Sequence, residues 1–354
     1  MTAATPLPRG GQTRRHPGKP FNPGGCGGGM RSVLLWGLIF VGSLAVLVKA
    51  SDVFTDSAER IGVGFGISPF IIGVTIVAVG TSTPELVSSV LAVIKGSPEI
   101  VAGNVMGSNV TNIFLILGIS AIVGKKMVTS YELANVDLPL FVGSALLLSL
   151  MVGDGSFTLP EALLCLACLL VYLLYAVSVE RVAEEARDRT MEELEAAGVG
   201  HPKKRRLDPR VYLKLLLSIF FLYIGANYTV VSVVKLSEIV GIGTEIIAAS
   251  AVALGTSLPE LVVSVKAAAM NKPELAIGNI IGSNIFNALG IMGISALFGT
   301  VVIPETITAF VMPMMIVATL LYFVVIWEKE MTHWEGWMLV IFYAFFLGKL
   351  FALF

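Results

Sequence analysis

One stretch of this chain occurs twice. Residues 71–124 open with IIGVTIVAVGTSTPELVSSV and continue through GNVMGSNVTN to GISAIVG. Residues 246–299 open with IIAASAVALGTSLPELVVSV and continue through GNIIGSNIFN to GISALFG. The copies align without a gap at an offset of 175 residues, and about half of the 54 positions are identical. Gly80 falls on Gly255, Glu85 on Glu260, Asn104 on Asn279, Ser108 on Ser283 and Asn112 on Asn287. Polar motifs that keep register inside apolar sequence mark a structural repeat rather than low complexity.

The background to the repeat is a bilayer-spanning composition. Of 354 residues, 55% are hydrophobic and 14% charged, with a mean hydropathy of +0.85. Soluble domains carry about 25% charged residues. The net charge of -1 gives no field for a nucleic acid. Residues 1–30 differ: rich in Gly, Pro and Arg and without an apolar run, they read as a disordered tail. Met30, directly before the first apolar run, is the expected natural start. Cys165 and Cys168 lie in EALLCLACLL and read as small buried or lipid-facing residues, not a disulfide framework.

Ten apolar stretches approach the length of a bilayer span: 31–51, 64–92, 99–123, 133–152, 159–178, 211–233, 239–269, 274–298, 306–326 and 335–353. The polar segment 179–210 separates two halves, 31–178 and 211–354, of five stretches each. Five is odd, so the second half must enter the membrane from the opposite face. The predicted fold is therefore an all-α membrane protein of ten transmembrane helices in two inverted five-helix repeats, a transporter arrangement with its site where the repeats meet. Asp52 and Asn227 form a further matched pair at the same offset, expected at a vestibule or helix cap. Arg181, Arg187, Arg189, Lys203, Lys204, Arg205, Arg206 and Arg210 in the linker, with Arg60, Lys125, Lys126, Lys272 and Lys329 in loops on its side, predict a cytoplasmic linker.

The chemistry lies in GTSTPE (80–85) and GTSLPE (255–260). A carboxylate in mid-span costs about 2.5–3.5 kcal/mol on insertion scales. Glu85 and Glu260 each follow a proline, and Pro84 and Pro259 remove a backbone donor and clash with the preceding turn. A kinked helix with free carbonyls beside a carboxylate suits a hard cation, which takes several oxygens. Thr81, Ser82, Thr256 and Ser257 add hydroxyls near each Glu. Ser108 and Asn112 are four residues apart, as are Ser283 and Asn287, and the glycines before them permit close helix packing. The GNxxGSN helix is expected to pack on the GTSxPE helix and complete the shell. Two carboxylates among neutral oxygens balance one divalent cation, or hold two or three monovalent ones at some cost in repulsion. Mutual exclusion of the two sets is what exchange requires.

Plainer readings exist for each feature. Gly-Ser pairs are often packing devices, and a buried Glu can be a structural partner of a lysine. No lysine stands near Glu85, and Lys266 is nearly two turns beyond Glu260. A channel usually needs a ring of equivalent groups, often from several subunits. An enzyme reading has almost nothing behind it: no histidine lies in a span, and no nucleophile–base pair is evident.

With GTSTPE, GTSLPE, GNVMGSN and GNIIGSN, the chain resembles the cation/calcium exchangers, specifically prokaryotic sodium/calcium exchangers, over residues 31–354. The resemblance implies electrogenic exchange of Na+ for Ca2+ by alternating access, with these ions as cargo and no cofactor. It implies that Glu85 and Glu260 bind calcium and share in sodium binding, and that Thr81 and Thr256 supply backbone carbonyls. Ser82, Ser257, Ser108 and Ser283 would serve sodium, and Asn112 and Asn287 would line the centre. Spans one and six would slide against a static core. Many relatives carry an aspartate where this chain has Asn112 and Asn287, which weighs against potassium co-transport. Proton/calcium exchange stays the alternative, since buried carboxyls can carry protons. The expected partners are the two ions and the lipid bilayer of the cell (inner) membrane, with a monomer and no nucleic acid.

Overall fold

The computed structural model describes residues 26–65, 67–128, 137–196, 208–240, 253–327 and 329–351. It is all-α apart from two short ladders. Helix α1 (Cys26–Phe65) leads to a helix over 69–81 (α2) and to α3 (Thr83–Ile94). Then come α4 (Glu99–Gly124), β1 (Lys126–Val128), α5 (Asp137–Met151), β2 (Ser156–Phe157) and α6 (Leu159–Ala196). The second half holds α7 (Arg210–Val240), α8 (Ala253–Thr256), α9 (Leu258–Ala269) and α10 (Pro273–Ala296). It ends with β3 (Val301–Val302), α11 (Ile307–Ile326), β4 (Glu330–Thr332) and α12 (His333–Leu350).

Among the described residues, six helices are long and apolar enough to cross a bilayer, and seven if the bent α2–α3 pair is one span. Each of the ten apolar stretches overlaps helix, but the limits shift. The stretch 31–51 ends too early, because α1 continues unbroken to Phe65 and places Asp52 in mid-helix. Its polar residues there stay helical: Arg60 and Asp56 stand one turn apart and pair at 3.0 Å along the helix. Likewise α6 runs on to Ala196, past the expected limit at 178. Within the expected stretch 239–269, residues 241–252 lie outside the described residues, as do 1–25 of the expected tail and 197–207 of the linker.

The proline-linked breaks form as the sequence predicts. Helices α2 and α3 meet at Ser82 with a bend of 41°. Ser82 (φ -81, ψ 5) leaves helical geometry in the same way as Ser257 (φ -83, ψ 6), between α8 and α9. Each proline then occupies the first turn of the helix that follows, where its missing N–H breaks no bond. A second irregularity has no obvious sequence signal. Wide π turns replace α-helix over Gly73–Val77, Asn112–Leu117, Phe286–Ile291 and Ile307–Val311. Such turns inside α-helices occur frequently at functional sites.

Two antiparallel ladders join the halves at opposite ends of the helices. β1 pairs β4 with Lys126 opposite Thr332, and Lys126 also meets Glu330 at 2.7 Å. β2 pairs β3 with Ser156 opposite Val302. A Cβ on Gly124 would lie 3.5 Å from the Ala268 methyl, which brings the end of α9 to the β1–β4 end. A Cβ on Gly299 would lie 3.1 Å from Val93, which brings the end of α3 to the β2–β3 end. At the centre α4 and α10 are almost wholly buried, while α1 and α7 pack chiefly along one another outside them.

The expected packing of the small-residue helix on the GTSxPE helix occurs across the halves. Glycines on α10 meet the backbone of α2: a Cβ on Gly278 would lie 2.5 Å from the Phe70 carbonyl oxygen, and on Gly282 2.4 Å from that of Val74. Backbone cannot yield as a flexible side chain can. Gly282→Ala should therefore destabilise the protein by about 1–3 kcal/mol through overpacking. Gly103→Ala, whose Cβ would make ordinary contact with Ile307 at 3.5 Å, should be neutral or mildly stabilising. Thermal unfolding of the two variants in detergent checks the contrast.

Candidate cation-binding site

The two bends bring the carboxylates face to face in the middle of the helices. Glu85 and Glu260 are each 1% exposed. Each is held by the serine at the other half's break. Ser82 Oγ donates to Glu260 Oε1 at 2.7 Å, and Ser257 Oγ donates to Glu85 Oε1 at 3.1 Å. The crossing repeats one shell further out. Thr81 Oγ1 lies 3.2 Å from Asn279 Oδ1, and Thr256 Oγ1 lies 3.3 Å from Asn104 Oδ1. The asparagines are anchored in turn by their amide nitrogens, Asn104 on Ser89 Oγ at 3.0 Å and Asn279 on Ser264 Oγ at 2.8 Å. Every one of these pairs is related to its counterpart by the 175-residue offset.

What these contacts leave over defines the site. Glu85 Oε2 and Glu260 Oε2 are buried without a hydrogen-bond partner. So are Ser108 Oγ, Ser283 Oγ, Asn112 Oδ1, Asn287 Oδ1 and Asn284 Oδ1. Buried polar atoms are normally paired, and several oxygens orphaned together need an explanation. A cation is the natural complement to such a set, because it satisfies many oxygen lone pairs at once and cancels the charge. Among the described residues no group of three or more His, Cys, Asp or Glu converges anywhere, so the acidic content here is two carboxylates.

Glu85, Glu260, Ser82 and Ser257 form the core contacts, and Thr81 and Thr256 brace them. Ser108, Ser283, Asn112 and Asn287 lie buried on α4 and α10, within or beside their π turns. Asn109 and Asn284 were missed. Asn287 Nδ2 donates to Asn109 Oδ1 at 3.0 Å, and Asn109 Nδ2 donates to the Asn284 carbonyl at 3.2 Å. The signal was available, since both stand in the repeated GSN triplet. Their side chains reach inward only because α4 and α10 are buried on all sides. Here the reciprocity also fails: Asn112 finds no partner for either amide atom. Asp52, expected at a vestibule or helix cap, lies in mid-helix and pairs with Lys266.

Buried helices broken at two matched points around a shared acidic site define a polytopic secondary active transporter, not an enzyme. The chain matches the family model described as sodium/calcium exchanger protein over residues 35–178 and 211–352, and it belongs to that family. The sodium/calcium exchanger MaX1 of Methanosarcina acetivorans is 35% identical, over 90% of this chain and 97% of its own length. The inner membrane protein YrbG of Escherichia coli is 31% identical, over 75% of this chain and 80% of its own. Among solved structures, the sodium-calcium exchanger NCX_Mj soaked with Na+ and Sr2+ superposes with a TM-score of 0.72 at 28% identity, covering 88% of this chain and 97% of that one.

The asymmetry between the asparagines makes a stability test. Asn109→Ala strips the acceptor from a buried Asn287 amide, an omission that costs about 1–3 kcal/mol. It should lower the melting temperature by a few degrees in ion-free detergent. Asn112→Ala breaks no hydrogen bond and should leave that temperature nearly unchanged.

Proposed function

We propose that the protein is an electrogenic sodium/calcium antiporter that exchanges Na+ for Ca2+ at the Glu85–Glu260 site by alternating access. The observation that carries this reading is the pair of carboxylates, each tied at one oxygen by the other half and left open at the second. Two charges match one calcium ion. The orphaned Ser108, Ser283, Asn112 and Asn287 oxygens supply neutral ligands, which let singly charged sodium ions occupy the same region once calcium leaves. Glu85 and Glu260 bind the divalent ion directly. Thr81, Thr256, Ser82 and Ser257 position them and share in sodium binding. Names of the relatives, sodium/calcium exchangers among them, agree with this choice of ions.

Alternating access follows from the repeat. The contacts crossing at the 175-residue offset support paired repeats, and the end of α3 at the β2–β3 ladder with the end of its counterpart α9 at the β1–β4 ladder supports opposite orientation of two five-helix halves, completing ten spans. A site shared between such halves can open at one end by the same movement that closes it at the other. The absence of a third carboxylate among the described residues favours independence from potassium. The Lys and Arg excess around 179–210 supports a cytoplasmic linker in a transporter of the cell (inner) membrane, which we take to work as a monomer.

In proteoliposomes, an outward sodium gradient should drive calcium uptake, and an inside-positive potential should accelerate it, because more sodium charge leaves than calcium charge enters. Glu85→Gln and Glu260→Gln should each reduce uptake to background. Uptake driven equally by a proton gradient without sodium would replace sodium with protons as the counter-ion. Calcium flux without any counter-ion would make the protein a channel.

A further inference from the structure

One strong contact breaks the equivalence of the two halves. Lys266 Nζ on α9 pairs with Asp52 Oδ1 on α1, and both side chains are about one-third exposed. Lys49, one turn before Asp52, stands 4.0 Å from its other oxygen. The 175-residue offset places Asn227 at the position of Asp52 and Leu91 at that of Lys266. Neither is ionisable, so the corresponding positions on α7 and α3 cannot form an ion pair.

The location gives the contact its meaning. Helix α1 lies over the first bend: its buried face includes Leu47, Ala50, Phe54, Ser57 and Ala58. The Phe54 ring sits so tightly over Gly80 that a Cβ there would come within 2.5 Å of it. Lys266 follows Glu260 by six residues along α9, about 9 Å of helix, toward the β1–β4 end. The ion pair therefore fastens the cover to the core on one side of the cation site only. A pair that merely neutralised a lysine would be indifferent to which end of the site is open. This one spans the element that covers the site and the element that carries Glu260.

We propose that Asp52 and Lys266 are a positioning pair that holds α1 closed at the β1–β4 end, so that the resting transporter opens preferentially at the β2–β3 end. The proposal rests on the alternating-access reading. Half-exposed ion pairs are modest, so the bias is a factor of about two to five in the closed-to-open ratio. It weakens as ionic strength rises, because the pair is partly screened.

The test makes the two ends alike. Asp52→Asn with Lys266→Leu reproduces the residues of the other half, and the charge swap Asp52→Lys with Lys266→Asp restores the pair in reverse. Ser57→Cys reports opening: Ser57 is buried, its hydroxyl has no partner, and it lies five residues nearer the β1–β4 end. With Cys26, Cys165 and Cys168 replaced by Ala, the rate at which a hydrophilic maleimide labels Ser57→Cys in detergent measures that opening. The Asn/Leu variant should label about two- to fivefold faster than the parent, and the swap should return to the parent rate. Lys266→Gln alone gives the same reading if the double variant folds poorly. An unchanged rate in the Asn/Leu variant, or a swap that labels as fast as that variant, overturns the proposal. Labelling needs no transport, so a parent protein that labels as expected but shows no sodium-driven calcium uptake overturns the exchanger reading separately.

Discussion

Two carboxylates buried in the middle of apolar helices are the constraint on which the rest of the structure depends. In hydrocarbon an unpaired charge is costly, and among the described residues no ion pair neutralises Glu85 or Glu260: Lys266, six residues beyond Glu260, is engaged with Asp52. Hydrogen bonds from Ser82 and Ser257 satisfy one oxygen of each and leave the other open. Complete satisfaction would make a stable and inert core. Incomplete satisfaction, held rigidly, makes a receptor for cations.

The helices are shaped to hold that arrangement. A straight α-helix has no free backbone group to offer and presents a carboxylate at one fixed angle. The bends at Ser82 and Ser257 redirect each Glu toward the opposite half. The π turns that begin at or next to Asn112 and Asn287 alter which side chains of α4 and α10 face the centre. Close approach of α10 to the backbone of α2, at Gly278 and Gly282, then fixes the distance between halves. These are local departures from ideal geometry, and all of them surround the site. Away from it, α5, α6 and the greater part of α11 are regular helices with apolar faces.

Much of this was legible before any coordinates. The proline breaks, the buried acids and the neutral oxygens beside them follow from residue type and spacing, because backbone donors and buried charge obey the same chemistry in any fold. The span limits were less legible. Hydropathy falls where α1 carries Asp52, Asp56 and Arg60, and the helix continues there because (i, i+4) pairing and a solvent-facing side keep it intact. Asn109 and Asn284 were hidden for another reason: in a helix buried all round, periodicity no longer tells an inward residue from an outward one.

The sequence by itself determined that this is an all-α membrane protein with two matched acidic breaks, since composition, repeat and proline position act locally. Only the tertiary structure decided who holds whom. That Ser82 serves Glu260 and not Glu85, and that Asp52 is fastened to Lys266, depends on which helices cross. Crossing is set by backbone approach between elements nearly two hundred residues apart, and no local pattern encodes it.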